Sequence, residues 1–175
     1  MNSALPLIRI LVVHDQQLIR AGLRLLLESE PDFYVMAEAV DGAEAIRFAY
    51  EQPDIILLDL MLGRESGLDV LLQLREVSKQ TRVIVLTDSS EAEPQQRAVR
   101  NGAMGVVVKT DAPAVLADAI RKVQAGEVWL PRTIVASVLW DLVHPREPEA
   151  TERERPKHQR ITKREREVVA LVEPF

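Results

Sequence analysis

Four short apolar runs punctuate the first two thirds of the chain: "IRILVV" at 8–13, "DIILLD" at 54–59, "RVIVLT" at 82–87 and "GVVVK" at 105–109. They are almost continuously apolar and rich in β-branched residues, the pattern of parallel strands covered on both faces. A weaker run, "FYVMAEA" at 33–39, makes five. Between the runs, apolar residues recur at helical spacing: Ile19, Leu23, Leu26 and Leu27, then Ala45, Ile46 and Ala49, then Leu68, Leu71 and Leu72. Helix starts are marked as well. "DGAE" at 41–44 offers an aspartate cap, "SGLD" at 66–69 reads as a capping box, and Asp111 precedes Pro113 at the start of the fifth helix. Strands alternating with helices predict an α/β fold with a five-stranded, doubly wound parallel sheet, because each crossover returns over the sheet with the same hand.

The pattern changes after the fifth helix. "PRTIVASVLWDLV" puts Ile134, Val135, Val138, Leu139, Leu142 and Val143 on one stripe, predicting an amphipathic connecting helix within 128–144. Such a stripe packs on the body or on a partner, a second copy of the chain included. Residues 145–160 carry three prolines, no aliphatic residue larger than Ala150 and dense charge of both signs, which reads as a linker. At 161–175, Thr162 stands three residues ahead of Glu165 and before the apolar "VVALV", a second capping box at the start of another helix.

Composition narrows the function classes. With 175 residues, 47% of them hydrophobic, the chain holds one ordinary core over 7–127 and a tail. A net charge of -5 argues against nucleic-acid binding by the body as a whole, since phosphate affinity comes from clustered Lys and Arg. The basic residues between Arg153 and Arg166 are interleaved with acids, so their charge nearly cancels. Cysteine is absent, which excludes disulfides and thiolate metal sites. Arg9 interrupts the first apolar stretch, and nothing approaches the ~18 apolar residues of a membrane span. The expectation is a cytoplasmic protein with no membrane partner.

In a doubly wound sheet, chemistry gathers beyond the carboxyl ends of the strands, where strand order reverses. The residues at those ends are His14 and Asp15, Asp59, Thr87 with Asp88, and Lys109. Carboxylates on neighbouring strands make an oxygen-rich cleft suited to a hard cation such as Mg²⁺. A lysine and a hydroxyl beside them neutralise the charge that develops when a phosphoryl group moves onto a carboxylate. The set reads as an aspartyl-phosphate site.

The order of "VVHDQQLIRAGLRLLLE", "DIILLDLMLGRESGLDVL", "VIVLTD" and "GAMGVVVK" resembles the flavodoxin-like receiver domain of bacterial two-component response regulators. "ITKREREVVALV" is similar to the opening of the LuxR-type helix-turn-helix of the NarL/FixJ group, incomplete over 161–175. The resemblance implies Asp59 as phosphoacceptor, Asp15 as a metal ligand, the Met61 backbone carbonyl as another, Thr87 as switch hydroxyl and Lys109 as the pairing lysine. It implies Mg²⁺, a sensor histidine kinase as partner, control of transcription, and DNA contacted only through a full output domain, since no recognition helix follows "VALVEPF". Gly67 fits the turn into the third helix.

Four residues depart from that pattern. His14 replaces one acid of the usual pair, and imidazole is a poor partner for Mg²⁺, so weak metal binding is expected. Asp88 stands where a small residue is usual; it either repels an incoming phosphoryl group or restores cation affinity lost at His14. Val106 replaces a switch aromatic, and Gly63 a proline. These departures motivate a second reading, a receiver that works without phosphorylation through protein contacts. A phosphatase of the haloacid dehalogenase type is disfavoured, because it needs an acid two positions beyond its nucleophile and Met61 stands there. The expected role is regulatory, not enzymatic.

Overall fold

The computed structural model describes residues 7–88 and 91–144, apart from the side chains of 141 and 142. They fall in one unit that ends at Val143; of the second, His144–Phe175, only His144 is described. The linker expected at 145–160 and the helix start at 161–175 lie outside the described residues. The strands are β1 (Ile8–Val13), β2 (Phe33–Ala39), β3 (Ile55–Asp59), β4 (Met61–Leu62), β5 (Glu65–Ser66), β6 (Arg82–Thr87) and β7 (Gly105–Val108). The helices are α1 (Gln17–Glu28), α2 (Gly42–Ala49), α3 (Gly67–Val77), α4 (Ala92–Arg100), α5 (Pro113–Gln124) and α6 (Arg132–Val143).

Five strands form one parallel sheet in the order β2-β1-β3-β6-β7, and β4 with β5 makes a two-residue antiparallel ladder beside it. Alternation along each strand explains the continuous apolar runs. Leu11, Val13, Ile56, Leu58, Val83 and Val85 face one core with Ala45, Leu71, Leu74 and Ala98. Ile10, Val12, Ile55, Leu57, Ile84 and Leu86 face the other with Leu27, Leu116, Ile120 and Val123. Each fully buried aliphatic side chain contributes about 1.5–3 kcal/mol. A strand buried on both sides therefore has few polar positions to spare: half-buried Arg9 and Arg82 lie at the amino ends of β1 and β6, and Asp59 at the carboxyl end of β3.

The three expected helix starts fare differently. Asp41 caps α2, its carboxylate accepting from the Glu44 amide at 2.8 Å, while the Glu44 carboxylate accepts from the Val40 amide at 3.1 Å. Ser66 makes no side-chain cap bond; it is held instead in the ladder opposite Met61. Asp111 does not cap α5 either. Ala112 is the cap residue with Pro113 following, and the Asp111 carboxylate accepts from the Val108 amide at 3.1 Å, closing the turn after β7.

The α6 stripe divides. Ile134 is fully buried and Val138 half-buried, whereas Val135, Leu139, Trp140 and Val143 are exposed; α6 lies against α4. The segment before it does not continue the helix. Trp129 bridges to Gly105 at the edge of the sheet, and its amide and carbonyl bond Met104 and Val106.

Candidate functional site

Register brings the strand ends together. Val13 pairs with Leu58, Asp59 with Leu86, and Thr87 with Val108, so the residues that follow share one rim. Strand order turns about β1, which has β2 on one side and β3 on the other. The crevice between β1 and β3 is the place such folds use for ligands.

Asp59 occupies that crevice, 1% exposed. Its Oδ1 lies 3.0 Å from the Lys109 ammonium and accepts from the Met61 amide at 3.2 Å. Its Oδ2 lies 3.2 Å from Nε2 of His14. His14 is fully buried, and its Nδ1 accepts from the Gln16 amide at 3.1 Å with Asp15 Oδ1 at 3.2 Å. The approach of Nε2 to Asp59 is not aligned as a hydrogen bond, which leaves Nε2 a buried polar atom without a hydrogen-bond partner. Burial pushes the His14 pKa below its ordinary value, against the pull of Asp59, so the neutral ring is favoured.

Lys109 is shared. Its ammonium also donates to Asp88 Oδ2 at 2.9 Å, while Asp88 itself is largely exposed. Burial works to lower the lysine's pKa, but its hydrogen bonds to Asp88 and Asp59 outweigh that and raise it. Thr87 is buried, and its backbone carbonyl accepts from the Lys109 amide at 2.8 Å. Met61 offers its amide to Asp59 and turns its side chain to solvent. Val106 is buried in β7 within the first core.

Two glycines shape the rim. A Cβ on Gly67 would sit 2.2 Å from the Asp59 carbonyl oxygen and 2.6 Å from the Leu60 Cα, so only glycine allows α3 to start this close to the end of β3. Gly63 has φ +59, a conformation closed to proline, whose ring holds φ near about −65°. The loop after Asp59 therefore runs as the short β4–β5 ladder, tied to α2 where Glu65 accepts from the Gly42 amide at 2.9 Å.

Sequence reasoning passed over Arg20. This nearly buried guanidinium donates to the carbonyls of His14 and Asp15 at 2.7 and 2.9 Å, with Glu38 3.5 Å away. It holds the loop that carries both residues. The available signal was its spacing, since Arg20, Leu23 and Leu27 share a face of α1 and a charge among apolar positions needs a partner.

His14, Asp15 and Asp59 each offer a ligand atom within 4.8 Å of the others, a grouping able to hold a metal ion. One donor is nitrogen. The set therefore does not fit the all-oxygen shell that Mg²⁺ demands.

A five-stranded parallel sheet with an acid, a lysine and a hydroxyl on its carboxyl rim is the setting of this site, and residues 10–121 match the response regulator receiver domain family, to which this chain belongs. Among its relatives, the transcriptional regulatory protein LiaR of Bacillus subtilis is 35% identical over 95% of this chain and 76% of its own length. The response regulator protein VraR of Staphylococcus aureus is 34% identical, over 73% of this chain and 62% of its own. A crystal structure of a two-component response regulator of the LuxR family from Aurantimonas sp. superposes with TM-score 0.69 at 32% identity, covering 77% of this chain and 97% of that one. The chain is thus related to LuxR/NarL-type regulators. No described helix is long and apolar enough to cross a membrane.

Proposed function

We propose that this chain is the receiver of a two-component phosphorelay: a sensor histidine kinase places a phosphoryl group on Asp59, and the altered surface controls a DNA-binding output domain in the cytoplasm. The carrying observation is the Asp59 carboxylate, 1% exposed and held 3.0 Å from a lysine on the neighbouring rim. In the transfer an Asp59 oxygen forms the new O–P bond as the P–N bond of the donor phosphohistidine breaks. The imidazole keeps that electron pair. Lys109 then follows the charge from carboxylate to phosphoryl oxygen, and the Thr87 hydroxyl turns toward the same group. Asp15 and the Met61 carbonyl complete the cation site in this reading, and His14 weakens it for Mg²⁺. Relatives named as transcriptional regulators support the output, which DNA reaches through a full helix-turn-helix and not through residues 7–144.

The test is incubation of the chain with a small phosphodonor and a divalent cation, followed by intact-mass measurement. One added phosphoryl group, lost in Asp59→Ala, is the expected result; no gain in the unsubstituted chain overturns the proposal. A second reading, a receiver acting through protein contacts without phosphate, is favoured by two observations. His14 crowds Asp59 Oδ2, and Asp88 draws Lys109 outward. Absence of the mass gain selects it.

A further inference from the structure

We infer that the cleft between β1 and β3 is built for a borderline divalent transition ion of the Zn²⁺ and Co²⁺ class, ligated by His14 Nε2 and the Asp59 carboxylate and steadied by Asp15, in place of Mg²⁺. Three features point there. First, Nε2 is a fully buried polar atom with no hydrogen-bond partner, and it faces Asp59. A buried group of this kind is destabilising unless something meets it.

Second, the spacing is that of a coordination edge. Two donors each about 2.0–2.2 Å from one ion, at roughly 90–110° to each other, lie roughly 3.0–3.5 Å apart. Nε2 and Asp59 Oδ2 stand 3.2 Å apart without a hydrogen bond between them. Third, Asp15 Oδ1 lies 3.2 Å from Nδ1. Metal-bound histidines commonly turn their other N–H onto a carboxylate, which fixes the ring and leaves the ligating nitrogen its lone pair. In the structure Nδ1 accepts from the Gln16 amide; ion binding shifts the ring proton from Nε2 to Nδ1, where Asp15 receives it in place of that amide, and opens Nε2 to the ion.

Softness then decides the ion. Imidazole nitrogen suits Zn²⁺, Co²⁺ and Ni²⁺, while Mg²⁺ demands oxygen in near-octahedral array and dehydrates reluctantly. The second carboxylate of an all-acid pair is missing, so the cleft loses charge that a hard ion needs and gains a donor that a borderline ion prefers. Arg20 supports the arrangement from behind, pinning both carbonyls of the His14–Asp15 loop.

The experiment is titration of the unphosphorylated full chain with Co²⁺, followed by visible absorption and by calorimetry against Mg²⁺. We expect nitrogen-shifted cobalt bands, saturation at one ion, and Mg²⁺ failing to displace it at equal concentration. Asp15→Asn weakens Co²⁺ binding by about 10–100-fold, and His14→Asp reverses the preference toward Mg²⁺. His14→Asn serves as the second variant should the first not fold, with thermal melting as the check, and it too loses the bands. His144→Ala with His158→Ala leaves them unchanged. Equal Co²⁺ binding by the unsubstituted chain and His14→Asn overturns the inference, as does displacement by equimolar Mg²⁺. Phosphate plays no part in this measurement, so a chain that binds Co²⁺ but never gains a phosphoryl group leaves the inference standing.

Discussion

Two charge clusters at different ends of the molecule contrast in how completely their groups are paired. Between β2 and α5, Arg121 donates through Nε and Nη2 to both oxygens of Asp32 at 2.8 and 2.7 Å, donates to Glu30 at 2.6 Å, and lies over the Phe33 ring. The hydrogen bonds to Asp32 and Glu30 raise the arginine's pKa, and the one from Arg121 lowers that of Asp32. Beyond β3 the balance fails: Asp15, Asp59 and Asp88 gather around one lysine and a buried neutral ring. The first cluster is matched to itself and ties the chain together. The second is left incomplete by the fold, and an incomplete, partly buried cluster is where an ion or a phosphoryl group gains most.

The hardest break of this contrast is Gly67→Ala. The added methyl meets the Asp59–Leu60 backbone, so the loop bearing Asp59 has to move; a loss of about 1–3 kcal/mol in urea unfolding is expected, as for other overpacked sites. Phosphorylation of Asp59 falls with it. An unfolding midpoint equal to that of the unsubstituted chain refutes the collision.

Arg20→Met comes next. It keeps the stem and removes the donors to two carbonyls, at a cost of about 1–3 kcal/mol. Because those carbonyls belong to His14 and Asp15, Co²⁺ affinity should drop further than it does in an Arg121→Met control of similar stability. Parallel losses in both variants would make Arg20 merely structural.

Smallest, and sharpest in sign, is the same chemical change made at each cluster. Asp32→Asn weakens a partly exposed ion pair and destabilises by about 0.2–1 kcal/mol. Asp15→Asn relieves crowding among acids and raises the melting temperature at low salt. The pH dependence of Asp32 follows from its lowered pKa: its contribution is present above the unfolded value near about 4 and is lost as pH falls through the lower folded value. Melting curves of Asp32→Asn and the unsubstituted chain, taken from neutral pH into acid, should therefore converge. Curves that stay apart below that window contradict the pairing.

The strands were legible because a strand buried on both faces tolerates only apolar residues, and the end of each run marked where burial stopped. That reasoning reached Asp15, Asp59, Thr87 and Lys109. It reached Asp88 as a choice between repelling phosphate and aiding a cation; in the structure the Asp88 carboxylate accepts from Lys109. Capping boxes were less dependable. Ser66 and Asp111 have the right residue types in the right places, but a ladder and a turn claim them first.

Local pattern by itself determined the alternation of strand and helix, and with it the rim on which the chemistry stands, since hydrophobic burial acts on every residue of a run alike. Tertiary structure alone decided which charges meet: that Nε2 of His14 faces Asp59 without a hydrogen bond, that Arg20 grips two carbonyls, and that α6 buries Ile134 while leaving Leu139 and Trp140 exposed. Polar contacts are short-ranged and directional. They depend on the register of strands distant in sequence, which no spacing along the chain records.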